Sequence, residues 1–259
     1  MRADKFLAEQ FGSRTKAAEA IEKGLVLVNG KKVRTKDEIS HEDQITFLQA
    51  EEQFVSNGGF KLQRAIKYFD FDCNNKTFAD IGASTGGFTD CLLQNGARKV
   101  YTVDVGESLL HKSLYDDPRV VRMENTNARY LTSDDFPESM DGIVTDVSFI
   151  SLRLIFPAIA SILCGQGDVF ALIKPQFECE KKNIGKSGIV HTSAHAEIVA
   201  KVCGYAEENE LYVHGLVNAP IRKGKNIEYV VHLSPTKVGC MDHRKIVERV
   251  REILSAERE

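Results

Sequence analysis

One stretch constrains the fold of this chain more than any other, the run from Phe78 to Asp90. It begins with apolar residues that lead to Asp80, passes through glycines and small side chains, and becomes helical in pattern from Phe88. Doubly wound α/β sheets hold nucleotide-type cofactors with this order of strand, glycine turn and helix. Glycine lets the backbone approach a ligand closely, and the first N–H groups of the helix are free to bind its polar atoms.

The glycine spacing in this turn distinguishes between cofactors. It reads Gly82-x-x-x-Gly86-Gly87, whereas dinucleotide sites use Gly-x-Gly-x-x-Gly. We therefore expect S-adenosylmethionine rather than a nicotinamide dinucleotide. A second predicted strand ends on Asp104, about 20 positions after the first glycine, where a carboxylate can accept hydrogen bonds from both ribose hydroxyls of an adenosine. The plainer interpretation of Asp104, an acid that caps a helix, stays open at this point.

Composition narrows the class of protein. The 259 residues allow one large domain and one small one, and the 42% hydrophobic and 27% charged residues are typical of a soluble globular protein. The net charge is −3, although residues 1–36 carry more Lys and Arg than Asp and Glu. The six cysteines include no C-x-x-C pair, so we expect reduced thiols and no metal site. We find no signal peptide and no apolar run that could span a bilayer, and expect a cytoplasmic protein.

Residues 1–48 are expected to form a small α+β domain. Predicted helices over 2–11 and 13–24 are followed by a hairpin over 26–33, whose turn is Asn-Gly, and by a strand over 44–48. Two short helices followed by such a hairpin resemble the S-four-like RNA-binding module of small-subunit ribosomal protein S-four. The matching runs are Arg2-Ala3-Asp4-Lys5-Phe6-Leu7, Ser13-Arg14-x-x-Ala17, Ile21-x-x-Gly24 and Val26-x-Val28-Asn29-Gly30.

This resemblance implies that the domain docks on structured RNA, largely through phosphate contacts. The basic residues expected to bind RNA are Arg2, Lys5, Arg14, Lys16, Lys31, Lys32 and Arg34. The alternative is that these charges only keep a small domain soluble.

The remainder of the chain is expected to contain a linker over 49–57 and a larger domain over 58–259. After a helix over 58–69, apolar strands alternate with helical segments, which predicts a mostly parallel α/β sheet covered on both faces. The predicted strands are 78–81, 99–104, 119–123, 142–146, 168–173, 211–218 and 228–233. The predicted helices include 151–163, 194–208 and 243–259.

Four charged residues stand at the ends of these elements, where ligands bind in such sheets. Asp146 ends one predicted strand, Lys174 follows five apolar residues of another, Glu228 opens the last strand and Lys61 lies in the helix before the first. A lysine so close to the core is costly to bury without partners. Two lysines and two acids in one cleft would provide an amine that acts as a base. A purely structural ion-pair network explains the residues equally well.

From end to end the chain resembles the TlyA-type (haemolysin-A-like) rRNA ribose 2′-O-methyltransferases, whose catalytic domain is FtsJ/RrmJ-like. Besides the S-four-like head, the motifs that carry the resemblance are Gly58-Gly59-Phe60-Lys61-Leu62, the Asp80–Asp90 stretch, Val103-Asp104-Val105-Gly106, Thr126-Asn127-Ala128-Arg129, Asp146-Val147-Ser148-Phe149-Ile150-Ser151-Leu152 and Lys174-Pro175-Gln176-Phe177-Glu178. The resemblance implies a Rossmann-like, S-adenosylmethionine-dependent sheet. It also implies 2′-O-methylation of cytidine in 23S rRNA, and in some members of 16S rRNA, within ribosomal subunits.

The same resemblance assigns the site. The family's Lys-Asp-Lys-Glu tetrad falls on Lys61, Asp146, Lys174 and Glu228. Lys174 is expected to accept the proton of the 2′-hydroxyl, with the two acids orienting it and Lys61 holding the ribose or phosphate. The residues expected to bind the cofactor are Asp80, Gly82, Ser84, Thr85, Gly86, Gly87, Phe88, Asp104, Asn127 and Asp146.

Three other functions compete with this one. A pore-forming, haemolytic protein is disfavoured because the chain has no spanning segment. An RNA-binding protein with an inactive methyltransferase fold is disfavoured by the intact glycine turn, and an oxidoreductase by the glycine spacing. His191 and His195 are four apart, but a third metal ligand is not evident, so we expect no metal there.

Overall fold

Contacts within the chain divide the computed structural model into two units, Met1–Gln53 and Phe54–Glu259. The structure describes residues 1–22, 24–48, 54–222 and 224–256. Most of the predicted linker, residues 49–53, lies outside the described residues. Its last part belongs to the second unit, because Phe54 and Val55 pack against that unit's core and its first helix begins at Asn57.

The first unit contains two helices and a small antiparallel sheet, as predicted. Its elements are α1 (Ala3–Phe6), α2 (Arg14–Glu22), β1 (Val26–Val28), β2 (Lys31–Lys32) and β3 (Ile45–Phe47), with sheet order β2-β1-β3. The Oγ of Ser13 accepts a hydrogen bond from the N–H of Lys16, the contact expected of an N-cap. Asn29 and Gly30 have φ angles of 50° and 75°, which only an Asn-Gly type of turn accommodates easily.

The helix predicted over 2–11 is shorter in the structure, where α1 covers only Ala3–Phe6. After α1, the N–H of Ala8 bonds to the carbonyl of Lys5, and that of Gly12 to the carbonyl of Glu9. These two bonds span three residues and the bond from the N–H of Phe11 to the carbonyl of Leu7 spans four, so the chain continues as separate turns rather than as a regular helix. The apolar spacing that suggested a helix still places Leu7 in the core of the unit.

The second unit is an α/β sheet of seven strands, in the order β6-β5-β4-β7-β8-β10-β9. Its strands are β4 (Thr77–Ile81), β5 (Lys99–Val103), β6 (Val120–Met123), β7 (Gly142–Thr145), β8 (Asp168–Ile173), β9 (Tyr212–Asn218) and β10 (Tyr229–Ser234). The first five strands are parallel to one another, and β10 is antiparallel to both β8 and β9. The predicted fold class and the seven predicted strands are confirmed.

Helices cover both faces of this sheet. They are α3 (Asn57–Phe69), α4 (Gly87–Gln94), α5 (Lys112–Tyr115), α6 (Phe156–Leu163), α7 (Pro175–Glu178), α8 (His195–Glu207) and α9 (His243–Ala256). Side chains of α3 and α4 pack with one face of the strands, and those of α6, α8 and α9 pack with the other. Because successive strand residues point to opposite faces, a strand that is covered twice must be apolar along its buried length, as β8 is after its first residue, Asp168.

The strand register brings the charged residues to one edge of the sheet. Ile81, at the end of β4, is paired with Val103 of β5 and with Thr145 of β7. The parallel strands therefore end together, so the turn after β4 lies beside the residues that follow β5 and β7. Within the described residues, no helix is long and apolar enough to cross a membrane.

Candidate active site

Lys174 leaves β8 with its side chain only 9% exposed and directed at the end of β7. Its Nζ lies 2.5 Å from Oδ1 of Asp146 and donates hydrogen bonds to Oγ of Ser148 at 2.6 Å and to the backbone oxygen of Asp146 at 3.3 Å. An ammonium has three donors: two of them make these hydrogen bonds, while the contact with Oδ1 of Asp146 is an ion pair without hydrogen-bond geometry. The amine is therefore held in one position although it is nearly buried.

Lys61 joins this pair to the fourth charged residue. Its Nζ lies 2.7 Å from Oε2 of Glu228 and 3.6 Å from Oδ2 of Asp146. The side chains of Lys61, Asp146 and Glu228 are between 17% and 21% exposed, so they can be reached from solvent. The four residues form a row of ion pairs, Glu228–Lys61–Asp146–Lys174, in which positive and negative charges alternate.

The turn after β4 has the backbone conformation that its sequence suggested. Gly82 and Gly86 have φ angles of 79° and 88°, which side chains with a Cβ adopt only under strain. A Cβ on Gly82 would lie 2.9 Å from Cγ1 of Val147, so the turn passes close to the segment that follows β7. The glycines thus leave room for a ligand at the turn and for the approach of a second segment.

Asp80 is fully buried at the end of β4 and lines the cavity under this turn. Its Oδ2 accepts hydrogen bonds from the N–H and the hydroxyl of Thr89, at 2.9 and 2.6 Å. Its Oδ1 is buried and has no hydrogen-bond partner among the described residues. Burial raises the pKa of Asp80 to about 7, although the hydrogen bonds from Thr89 act in the opposite direction.

Two cavities meet around the turn. The larger, of about 520 Å³, is lined by apolar side chains together with Asp104, Asn127 and Asp146. The smaller, of about 140 Å³, is lined by Asp80, Thr85 and Lys174 among others. Gly82, Ser84, Asp146 and Ser148 line both cavities.

Asp104 is fixed in the larger cavity by two backbone groups. Its Oδ2 accepts from the N–H of Ser84 at 2.8 Å, and its Oδ1 accepts from the N–H of Gly106 at 2.9 Å. Each oxygen of a carboxylate can accept a second hydrogen bond, so both remain able to bind a pair of ribose hydroxyls. These contacts contradict the plain helix-cap interpretation, because neither partner of Asp104 belongs to a helix.

S-adenosylmethionine fits this arrangement. An apolar cavity with a fixed acid suits adenosine, and the free oxygen of Asp80 gives an acceptor where a cationic amino acid moiety would need one. Of the predicted cofactor residues, the structure brings Asp80, Gly82, Ser84, Thr85, Gly87, Phe88, Asp104, Asn127 and Asp146 to the walls of the two cavities. Gly86 lies within the turn but faces Leu110 and Leu114.

Comparison with known families agrees with this geometry. The family model for FtsJ-like methyltransferase matches residues 54–234, well over half of the chain. The chain belongs to this family. The S4 domain model matches residues 1–45. We therefore call the second unit the methyltransferase domain and the first the S4 domain.

Curated relatives cover most of the chain. It is 42% identical to "Putative rRNA methyltransferase YqxC" of Bacillus subtilis, over 85% of this chain and 80% of that protein. It is 40% identical to "Hemolysin A" of Brachyspira hyodysenteriae, over 90% of this chain and 99% of that protein. It is 35% identical to "16S/23S rRNA (cytidine-2'-O)-methyltransferase TlyA" of Mycobacterium tuberculosis, over 94% of this chain and 92% of that protein. The predicted membership of the TlyA-type family is confirmed.

Solved structures agree as well. A putative hemolysin from Streptococcus thermophilus has a TM-score of 0.71 and 38% identity, covering 100% of this chain and 98% of that one. A putative S-adenosylmethionine-dependent methyltransferase from Listeria monocytogenes has a TM-score of 0.52 at 13% identity, covering 70% of this chain and 99% of that one. At this identity the likeness supports the fold alone. The predicted Rossmann-like methyltransferase sheet is thus confirmed.

Sequence reasoning missed several residues of the methyltransferase domain that shape the site. Ser148 binds Lys174, and Gln176 donates to Oε1 of Glu228 at 3.4 Å. The buried carboxylate of Glu178 accepts from Oγ of Ser151 and from the N–H of Leu152, which fixes the segment after Asp146. All of these lie in motifs that were recognised, but only the three-dimensional contacts assign their roles.

The two histidines considered as metal ligands are in different environments. His195 is 2% exposed, and its Nδ1 lies 2.8 Å from the hydroxyl of Tyr229, whereas His191 is exposed. Burial lowers the pKa of His195, so its ring is neutral near neutral pH. Across the described parts of the chain, no three His, Cys, Asp or Glu side chains could share a metal ion.

The seven basic residues of the S4 domain that were predicted to bind RNA are all exposed but differ in their partners. Arg2 and Arg14 both pair with the buried carboxylate of Asp4, at 2.9 Å each, and hydrogen bonds from Arg2 and then Arg14 lower its pKa. Arg34 pairs with Asp37 at 3.1 Å. The lysines have no ion pair among the described residues; they are Lys5, Lys16, Lys31 and Lys32.

Proposed function

We propose that the protein methylates the ribose 2′-hydroxyl of a cytidine in ribosomal RNA, with S-adenosylmethionine as methyl donor. The observation that supports this most directly is the row Glu228–Lys61–Asp146–Lys174 beside the cavities around the glycine turn. The name of the Mycobacterium tuberculosis relative supports cytidine as the acceptor and 23S rRNA, with 16S rRNA as a second substrate. Action on ribosomal subunits would place the protein in the cytoplasm.

The methyltransferase domain binds the cofactor in the two adjoining cavities. Asp104 accepts hydrogen bonds from the ribose hydroxyls, and Asp80 offers its free oxygen to the cationic amino acid moiety. When bound, S-adenosylmethionine supplies a methyl group on a sulfonium sulfur, which is a strong electrophile. What the protein must add is alignment of the acceptor oxygen and a group that removes its proton.

Lys174 removes that proton in this proposal. In its neutral form the amine keeps two hydrogens, which can remain bonded to its two acceptors, the backbone oxygen of Asp146 and Oγ of Ser148. The lone pair is then free to take the proton of the 2′-hydroxyl. Asp146 stabilises the ammonium that forms, and Glu228 holds Lys61 where it can bind the ribose or its phosphate.

The S4 domain contributes affinity for the substrate. Lysines without an ion pair are free to contact phosphates, which position RNA without reading its sequence. Lys5, Lys16, Lys31 and Lys32 therefore supply the main electrostatic contact of this domain with rRNA.

The test is transfer of labelled methyl from S-adenosylmethionine to ribosomal subunits isolated from cells that lack the protein. We expect label in the large subunit and, after mapping of 2′-O-methyl groups, at a cytidine in 23S rRNA. Parallel reactions with Lys174→Ala should give no label, although that variant should bind the cofactor as the wild type does. Absence of transfer to either subunit by a wild type that binds the cofactor would overturn the proposal.

A further inference from the structure

A third cavity of the methyltransferase domain adjoins the row of ion pairs. It has a volume of about 230 Å³, and we call it the flanking pocket; Phe60, Lys61, Gln176, Arg222, Lys225 and Glu228 are among the residues that line it. Lys61 and Glu228 belong to the wall of the flanking pocket, whereas Asp146 and Lys174 line the cavity under the glycine turn. The row of ion pairs therefore separates the flanking pocket from the cofactor.

The flanking pocket carries an excess of positive charge. Glu228, its acid, is already paired with Lys61. Arg222 and Lys225 are exposed, and the described part of the chain provides neither with an ion pair. Two uncompensated cations beside a neutralised acid form a site for an anion, and an arginine favours phosphate because its planar group can donate two parallel hydrogen bonds.

The loop that presents these cations is fixed at both ends. The N–H of Ala219 donates to the carbonyl of Glu228 at 2.8 Å, which closes the base of the loop between β9 and β10. Asn226 accepts from the N–H of Val190 at 2.8 Å and donates to the carbonyl of Gly188 at 3.1 Å. These contacts hold the base of the loop in place, so binding has to order mainly the side chains of Arg222 and Lys225.

Two further groups suit a nucleotide rather than a bare anion. The ring of Phe60 is 39% exposed and is held edge-on by Phe54, with 5.1 Å between the ring centroids. The amide oxygen of Gln176 is buried, and no hydrogen-bond donor for it exists among the described residues. An exposed aromatic face stacks on any unpaired base, and a free acceptor can bind a base amino group or a ribose hydroxyl.

We propose that the flanking pocket binds the nucleotide next to the methylated one in a single strand of RNA. Arg222 and Lys225 contact its phosphate, Phe60 stacks on its base, and Gln176 accepts a hydrogen bond from it. This proposal rests on the proposed function, because the target ribose must lie at Lys174 for its neighbour to reach the flanking pocket.

The first test replaces both cations, in the variant Arg222→Gln/Lys225→Gln. We expect KM for ribosomal subunits to rise about tenfold or more, since the variant cannot pair with the phosphate, while kcat and cofactor affinity stay unchanged. The slope of the logarithm of the RNA-binding constant against the logarithm of salt concentration should become smaller in magnitude by about 0.7 for each phosphate that the variant no longer neutralises. The matched control is Arg244→Gln/Lys245→Gln, which removes the same charges from exposed positions of α9, outside the cavities described, and should leave KM unchanged.

The second test uses Phe60→Leu, which removes the aromatic face but keeps an apolar side chain beside Phe54, and measures binding of a short oligocytidylate. We expect several-fold weaker binding of the oligonucleotide, because leucine cannot stack on a base. Inorganic phosphate serves as a competitor. If phosphate at moderate concentration displaces the oligonucleotide completely and Phe60→Leu binds it as the wild type does, the flanking pocket is a simple anion site and the proposal fails.

Failure of this proposal differs from failure of the proposed function. A wild type that transfers no methyl group to either ribosomal subunit would refute the function, and the flanking pocket with it. A wild type that methylates subunits, together with an Arg222→Gln/Lys225→Gln variant whose KM and salt dependence match the wild type, would refute the flanking pocket alone.

Discussion

Glu228 reaches Lys61 and the neighbourhood of Lys174 because β10 runs antiparallel to β8. Tyr229, the first residue of β10, is paired with Ile173, the last residue of β8. Lys174 therefore leaves one strand at the point where Glu228 enters the other. A parallel β10 would place Glu228 at the opposite edge of the sheet, far from the glycine turn. The reversed strand is what completes the row of four charges.

Replacement of Lys174 by Ala should abolish methyl transfer. General bases contribute about 10²- to 10⁴-fold, and a lysine that also aligns the acceptor contributes at least as much. Arg should not restore turnover, because a guanidinium stays protonated at any workable pH. Single-turnover rates with saturating cofactor check this, with calorimetry as the control for cofactor binding. Near-normal turnover of Lys174→Arg would show that the residue supplies charge or position instead.

Replacement of Asp104 by Ala should weaken cofactor binding. The variant loses acceptors for two ribose hydroxyls, each worth at most about 1.5–3 kcal/mol because the acceptor is charged. It also frees the N–H groups of Ser84 and Gly106, so thermal unfolding of the cofactor-free variant must be measured beside its affinity. An affinity equal to that of the wild type by calorimetry would remove Asp104 from the site.

Much of the fold could be predicted from the sequence because its signals are local. The apolar runs of β4 and β8, and the glycines at 82 and 86, determine strands and a turn through their own backbone preferences. The length of α1 could not be predicted, since the apolar spacing from Phe6 to Phe11 fits tight turns as well as a helix.

The site was predicted less completely, for a different reason. Charged residues at strand ends can be recognised one by one, but which of them meet depends on strand order and direction. Neither the contact of Ser148 with Lys174 nor the free oxygen of Asp80 has a signal in the sequence. The flanking pocket was missed because Arg222 lies in a loop whose position follows from distant contacts of Asn226.

Replacement by Gln of the four lysines of the S4 domain that were predicted to bind RNA should weaken RNA binding without affecting chemistry. These residues are Lys5, Lys16, Lys31 and Lys32. If all four contact phosphates, the slope of the logarithm of the binding constant against the logarithm of salt concentration should become smaller in magnitude by about 3. Filter binding of rRNA at several salt concentrations measures this, and the rate at saturating subunit concentration should match the wild type. An unchanged salt dependence would mean that these lysines only keep the domain soluble.

Asp80 should make the cofactor-free protein less stable as pH rises from about 4 to about 7. An unfolded Asp ionises near pH 4, whereas burial raises the pKa of Asp80 to about 7 in the folded protein. Between these values the folded state binds more protons than the unfolded state, so the free energy of unfolding falls as pH rises and levels off above pH 7. The loss is at most about 4 kcal/mol, from the difference between the two pKa values.

Asp80→Asn removes this dependence, because an amide does not ionise and its oxygen can still accept from Thr89. Urea unfolding near pH 5 and pH 8 gives the free energy of unfolding of both proteins. The contributions of titrating groups that the two proteins share cancel when these free energies are subtracted. We expect the stability of the variant relative to that of the wild type to be greater near pH 8 than near pH 5. Saturating S-adenosylmethionine should reduce that advantage, because its positive charge stabilises the carboxylate of the wild type alone. Parallel pH dependences for the two proteins would show that Asp80 is already ionised in the folded state near pH 5.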